Sequence, residues 1–257
     1  MVLDALQTTS VDRFWSEVVG DRIPGSTRVP VLEIKKHLLS LDKDPQSFAD
    51  TIADLGAGSG RSTGILKSNF PNAKVIPLDL SHSGLKASEY PLSVNASVDK
   101  LSFPDSSVDV ISMCGVMTNL VHKDLDKSLA LRESTAREIM RVLRQDGLCV
   151  ISDFTRPHIL SGYPVNYERH RLITHEEGTI AVFDPSKNVS FIGLDDNQVA
   201  NLNASKALQR FAHHYKSEEL VSIFTKAGLK ADSYVVEIGQ TPSGKPIDTI
   251  TLSVTKR

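Results

Sequence analysis

Thr51-Ile-Ala-Asp-Leu-Gly-Ala-Gly-Ser-Gly-Arg-Ser-Thr63 decides how the rest of this 257-residue chain is read. Short apolar residues lead into Asp54, glycines follow at alternate positions (Gly56, Gly58, Gly60), and helix-compatible residues run from Ser62 to Phe70. The pattern is a strand, a tight turn and a helix. Glycine is needed where the backbone takes positive φ, or where a ligand must reach the main chain without meeting a Cβ, so the turn suits a small cofactor. A dinucleotide site wants Gly-x-Gly-x-x-Gly, its third glycine letting helix and strand close. Here that position is Arg61 and the glycine falls one place earlier, out of register for cradling a pyrophosphate.

Composition bounds the reading. Hydrophobic residues at 40% and charged residues at 23% are ordinary for a soluble globular protein, and the length suffices for one large α/β domain with an inserted cap. A formal charge of −2, from 29 basic and 31 acidic residues, gives no global pull toward nucleic acid or an anionic membrane. Met1-Val-Leu-Asp-Ala-Leu-Gln7 lacks the basic region and apolar run of a signal peptide, and no apolar stretch approaches a membrane span. A cytoplasmic protein is expected. Cys114 and Cys149 lie in apolar strand-like segments and read as reduced thiols. Asp195-Asp-Asn197 reads as an Asx-rich loop, so no metal site is expected.

Outward from the glycine turn, strands and helices alternate. Pro30 suits a first helical turn, and Val31, Ile34, Leu38 and Leu41 follow at helical spacing. Before them, Val11 to Val19 reads as a short amphipathic helix. Ala73-Lys-Val-Ile-Pro-Leu-Asp79 is a second strand ending in an acid. In a parallel sheet that carboxylate lands beside the glycine turn, where it can accept both hydroxyls of a ribose; capping the helix that starts near Ser81 is the other role open to it. Asp109 to Cys114 is a further strand, and the residues after it fall at the carboxyl edge where open α/β sheets bind ligands. Leu125, Leu129, Ala136, Met140 and Leu143 mark a long helix ending near Gly147, with a strand from Leu148 to Phe154 behind it. The stretch from Thr155 to Arg210 is too long for a simple connection, and within it Gly178 to Phe183 and Val189 to Gly193 read as a β-hairpin. Ser217 caps a last helix, and Tyr234 to Ile238 pairs with Thr249 to Val254.

These segments together resemble the class I S-adenosylmethionine-dependent methyltransferases. The family's first motif, an acidic residue followed by Gly-x-Gly-x-Gly, matches Asp54 to Gly60. Leu101-Ser-Phe-Pro-Asp105 and Asp109-Val-Ile-Ser112 are similar to its Leu-Pro-Phe and Phe-Asp-Val-Val segments, and Arg141-Val-Leu-Arg-Gln-Asp-Gly147 to its Arg-Val-Leu-Lys-Pro-Gly-Gly. The resemblance implies an α/β fold with a Rossmann-like, doubly wound, seven-stranded, mostly parallel sheet whose last strand is antiparallel. N-terminal helices (1–45) would form a lid, 50–155 the cofactor-binding core, 156–210 a hairpin-containing cap over the substrate, and 211–257 the final helix and hairpin of a single domain.

It also implies S-adenosylmethionine as cofactor and S-adenosylhomocysteine as product. Asp54, Gly56, Ala57, Gly58 and Gly60 would hold the methionine end, with Asp79 and Leu80 at the ribose and Cys114 closing the fourth strand. Ser97 stands where the family often has the aspartate that accepts the adenine amino group; Ser97 itself, Asp99 two residues on, and stacking with the Val98 backbone are the alternatives. Thr118 and Asn119 would face the methyl group, and Trp15 and Arg28 of the lid would lie near the site. In the cap, Tyr163, Tyr167, Arg169 and Arg171, with Tyr215 beyond it, are candidates for holding the acceptor. His213 and His214 have a pKa suited to a base, which is needed only if the acceptor atom carries a proton. The expected reaction is methylation of an O or N atom of a small molecule. An RNA methyltransferase is the alternative, because Ser26-Thr-Arg28 and Arg210-Phe-Ala-His-His-Tyr215 resemble short segments of tRNA wobble-uridine methyltransferases. A non-catalytic adenosylmethionine-binding module is the third.

Overall fold

The computed structural model describes residues 28–87, 90–120, 125–154, 172–174, 179–184, 189–194, 210–213, 217–240 and 246–256. Trp15, Tyr163, Tyr167, Arg169, Arg171, His214, Tyr215 and the helix expected at 11–19 lie outside the described residues.

Short runs of β-branched and apolar residues make the strands, and their order places the site. β1 (Thr51–Leu55), β2 (Lys74–Asp79), β3 (Val94–Asn95), β4 (Val108–Cys114) and β5 (Leu143–Phe154) pair in parallel, while β11 (Pro246–Thr255) runs antiparallel between β5 and β10 (Lys230–Gln240). The sheet order is β10-β11-β5-β4-β1-β2-β3. The chain winds outward from β1 to β3, then returns to the other side of β1 as β4. The carboxyl ends of β1 and β4 therefore flank the crevice where strand order reverses, the place at which such sheets bind ligands.

Both faces of the sheet are covered. Ile52, Val75, Val110, Leu148 and Val150 point to one face and pack on Val31, Ile34 and Leu38 of α1 (Arg28–Ser40) and Leu66 of α2 (Arg61–Asn69). The alternate residues Ala53, Leu55, Ile111, Met113 and Ile151 face α4 (Leu125–Val142) and α5 (Ser217–Lys226) through Ala136, Ile139, Leu220 and Phe224. Burying each large side chain contributes about 1.5–3 kcal/mol, which holds the strand ends in fixed register. Between β2 and β3 lies the short α3 (His82–Ala87). No helix among the described residues is long and apolar enough to cross a membrane.

Three details differ from the sequence reading. α1 ends at Ser40, so Leu41 leaves the buried stripe and is 40% exposed. α4 ends at Val142 rather than near Gly147, because Leu143 already pairs with Val108; the register then skips to Val110 with Leu148, and Asp146 at φ 59 takes up the extra length. The expected hairpin is the middle of a four-stranded antiparallel sheet, β6 (Leu172–Thr174), β7 (Thr179–Asp184), β8 (Val189–Leu194) and β9 (Arg210–His213). His213 thus sits on the last strand of that sheet, paired with Val189.

Candidate active site

The glycine turn after β1 is stitched to β2: the N–H groups of Gly56 and Ala57 donate to the Leu78 carbonyl at 2.7 and 3.1 Å. Gly56 (φ 72) and Gly58 (φ 52) have different reasons to be glycine. A Cβ on Gly56 would come within 2.2 Å of Val116 Cγ2, so the loop after β4 is what requires it. A Cβ on Gly58 would meet nothing within 4 Å. At Gly58 the turn borders open space, the room that a ligand against the main chain needs.

Asp54 is 1% exposed and its Oδ2 accepts the Ser62 and Thr63 hydroxyls, both at 2.6 Å. Burial pushes its pKa up to about 6, against the pull of those two hydroxyls and with a further rise from the Asp79 charge. The hydroxyls come from the first turn of α2, whose N-cap, Gly60, has no side chain to offer. Asp54 therefore ties the helix to the strand end across the turn.

Asp79 closes the turn from the other side. Its Oδ2 accepts the Gly58 N–H at 2.7 Å and its Oδ1 the Ser81 N–H at 2.8 Å. The capping role belongs to Ser81, whose Oγ accepts the Gly84 N–H at 3.0 Å at the start of α3. A carboxylate oxygen accepts more than one hydrogen bond, so these anchors aim Asp79 without closing it to a ribose. Two supports were not legible in the sequence. Asn95 Nδ2 donates to the Asp79 and Leu80 carbonyls at 3.0 and 2.9 Å, and Gly84 lets α3 approach so closely that a Cβ there would lie 3.1 Å from the Gly58 carbonyl carbon and oxygen. Leu80 is 52% exposed beside them.

In the loop after β3, the Ser97 hydroxyl donates to Asp99 Oδ1, and Val98 is buried between them. The two polar candidates for adenine are thus one unit, with Asp99 drawn back over Ser97. The following loop is fixed by α4: Arg141 donates to the Leu101 and Phe103 carbonyls at 2.9 and 2.8 Å and to Asp105 at 2.7 Å, while Glu138 accepts the Leu101 N–H at 2.7 Å.

At the end of β4 the Cys114 thiol is pushed up by burial first and then by the Asp54 charge, so it stays protonated. A single 3-10 turn follows (Met117–Asn119). Thr118, expected to face the acceptor, is only 5% exposed and turns inward instead: its N–H donates to Asp153 Oδ2 at 2.9 Å and its hydroxyl to Asp153 Oδ1. Asp153 escaped the sequence reading. Its one signal was an acid at the carboxyl end of an apolar core strand. β9, which carries His213, runs alongside this turn, so the structure brings His213's strand together with Thr118 and Asn119. Arg28 begins α1, on the face opposite α4.

Residues 53–151 match a family model described as a methyltransferase domain. That stretch of the chain is similar to methyltransferase domains. A relative, the ubiquinone/menaquinone biosynthesis C-methyltransferase UbiE of Hahella chejuensis, is 26% identical over 129 residues, 46% of this chain and 48% of that enzyme, so the chain spans about half the length of the relative it matches. The domain shares its fold with the 1,6-didemethyltoxoflavin-N1-methyltransferase of Burkholderia thailandensis, solved with bound 1,6-didemethyltoxoflavin and S-adenosylhomocysteine. The TM-score is 0.60 at 15% identity, covering 99% of this chain and 89% of that one. A sugar N-methyltransferase from Streptoalloteichus has a TM-score of 0.58 at 16% identity, covering 96% and 93%. In this chain the open turn at Gly58 lies beside the aimed carboxylate of Asp79.

Proposed function

We propose that this chain transfers a methyl group from S-adenosylmethionine to an O or N atom of a small molecule. The observation that carries the reading is the Gly58–Asp79 pair: an open glycine turn whose N–H is bonded to the acid of the next strand, at the crevice between β1 and β4. The cofactor supplies an already activated methyl group, so the protein's share is binding, orientation and exclusion of water.

Gly56, Ala57, Gly58 and Gly60 form the wall for its methionine end, and Asp79 receives the ribose hydroxyls. Asp99, steadied by the Ser97 hydroxyl, is the acceptor for the adenine amino group, with Leu80 and Val98 as apolar neighbours. Asp54 sets the position of α2 from beneath. The 156–210 insertion, extended by β9 to His213, covers the acceptor, with Tyr163, Tyr167, Arg169 and Arg171 in it. His213 or His214 removes a proton where the acceptor atom has one. The two fold relatives named above as N-methyltransferases act on small molecules, which favours the same class here; UbiE's name shows that carbon acceptors also occur among its relatives. Acids at the ends of β1, β2 and β5 oppose a polyanion, which disfavours RNA.

Calorimetric titration with S-adenosylhomocysteine tests the reading. Micromolar binding in the parent and a loss of about 1.5–3 kcal/mol per ribose hydrogen bond in Asp79→Ala are expected. Equal affinity in both proteins would remove Asp79 from the site, and binding of NAD in its place would overturn the cofactor.

A further inference from the structure

The turn after β4 is clamped from two sides. Asp153 accepts both the N–H and the hydroxyl of Thr118, and Asn119 Nδ2 donates to the Gly115 carbonyl at 2.5 Å. A carbonyl oxygen only accepts, so the nitrogen of the Asn119 amide must face Gly115 however amides are otherwise assigned. Oδ1 is thereby turned away from it. That oxygen is buried and has no hydrogen-bond partner among the described residues. Buried acceptors left unmet are uncommon in folded proteins because desolvation is then uncompensated.

It does not stand alone at this end of the sheet. Ser152 Oγ and Thr251 Oγ1 are register neighbours on β5 and β11, and both are buried without a partner among the described residues. Ser152 in turn registers with Cys114, the last residue of β4. An amide oxygen accepts only, so what it lacks is a donor. The charges nearby narrow the choice: Asp153 sits directly behind the turn, and Asp54 and Asp79 end β1 and β2 on the same edge. Carboxylates on that edge favour an uncharged or cationic donor and oppose a carboxylate or phosphate.

We infer that the methyl acceptor presents an O–H or N–H donor to Asn119 Oδ1, and that an anionic group is refused there. This rests on the methyltransferase reading and names the acceptor class for it. Asp153 is a positioning residue, acting through Thr118 to hold the turn that carries Asn119.

The test uses the full chain saturated with S-adenosylhomocysteine and three probes of similar size: phenol, which has a donor, anisole, which has none, and benzoate, which is anionic. Dissociation constants come from ligand-observed NMR. Phenol should bind about five-fold tighter than either of the others, as one net hydrogen bond allows. Asn119→Leu should bring phenol to the level of anisole, while affinity for S-adenosylhomocysteine by calorimetry stays within about two-fold. Asn119→Asp keeps an oxygen there but gives up the Nδ2 donation to the Gly115 carbonyl, and it should weaken benzoate further. Equal binding of phenol and anisole, binding of none of the three, or a phenol preference that survives in Asn119→Leu overturns the inference. Loss of S-adenosylhomocysteine affinity in Asn119→Leu also overturns it, because Oδ1 then serves the cofactor's ammonium. A parent protein that fails to bind S-adenosylhomocysteine strikes the cofactor reading instead, and the same probes without it still report on Asn119.

Discussion

At the carboxyl ends of β1 and β2 the polar groups answer one another. Asp54 takes two hydroxyls from α2, Asp79 takes the Gly58 and Ser81 N–H groups, and Asn95 ties down the Asp79 and Leu80 carbonyls. Where β4, β5 and β11 lie side by side the pattern changes, for Asn119 Oδ1, Ser152 Oγ and Thr251 Oγ1 are buried with nothing to meet them among the described residues. The first region is organised before any ligand arrives, which lowers the ordering cost of binding. The second is a firm frame, pinned by Asp153, around groups that a ligand or water must complete. A constant cofactor suits the one, and the choice of acceptor resides in the other.

The strongest way to break this contrast is at the two glycines of the turn. Gly56→Val should cost about 3 kcal/mol or more of unfolding free energy, since a Cβ 2.2 Å from Val116 adds overpacking to the strain of φ 72. Gly58→Ala should cost only about 1–2 kcal/mol, from its positive φ alone, yet reduce S-adenosylhomocysteine affinity by far more than that loss of stability accounts for. Urea denaturation with calorimetry separates them, and a Gly58→Ala protein of parental affinity would refute a ligand at that turn.

Next in size is Asp153. Asp153→Leu leaves the buried Thr118 N–H and hydroxyl without their acceptor, a loss of about 1–3 kcal/mol for each group. Asp153→Asn should lower acceptor turnover more than cofactor affinity, whereas Thr118→Ser, which keeps a hydroxyl, should stay near the parent. If Asp153→Asn weakens cofactor and acceptor binding equally, the division between the two regions does not hold.

Asp54 sharpens the comparison through pH. Its folded-state pKa of about 6 lies above the ordinary aspartate value of 3.8, so the proton favours the folded state. The stabilisation is fully present below about pH 4 and disappears as pH rises through about 6, a change on the order of 2–3 kcal/mol. Asp54→Asn should remove this component, so the difference between parent and variant unfolding free energies should slope between pH 4 and 7. Parallel curves would mean that the carboxyl is ordinary.

The smallest effect is expected at Gly84. Alanine there gains helix propensity of up to about 1 kcal/mol but presses on Ser81 Oγ and the Gly58 backbone at 3.0–3.1 Å. Net stability should move by less than about 1 kcal/mol, while S-adenosylhomocysteine affinity falls a few-fold. Unchanged affinity would show that α3 does not brace the turn.

The two regions were also unequally legible. The glycine turn, Asp79, and the strands that set the sheet order are local patterns, where a few adjacent residues carry both the backbone requirement and the chemistry. Asn95 carried no local signal of its role, and Ser97 and Asp99 stood as alternatives, because which hydroxyl meets which carboxylate depends on how the chain folds back within two residues. Thr118 was assigned the wrong surroundings for the same reason: its partner lies 35 residues away on the neighbouring strand.

By itself, the sequence determined the alternation of strands and helices and the glycine turn with its following acid, since hydrophobic periodicity and positive-φ glycines act over a few residues. Only the tertiary structure decided that Gly56 answers to Val116 while Gly58 borders open space, that Ser81 and not Asp79 caps α3, and that Asp153 holds Thr118 and leaves Asn119 Oδ1 unmet. Those outcomes depend on distances between segments remote in the chain, which burial on both faces of the sheet fixes and no local pattern records.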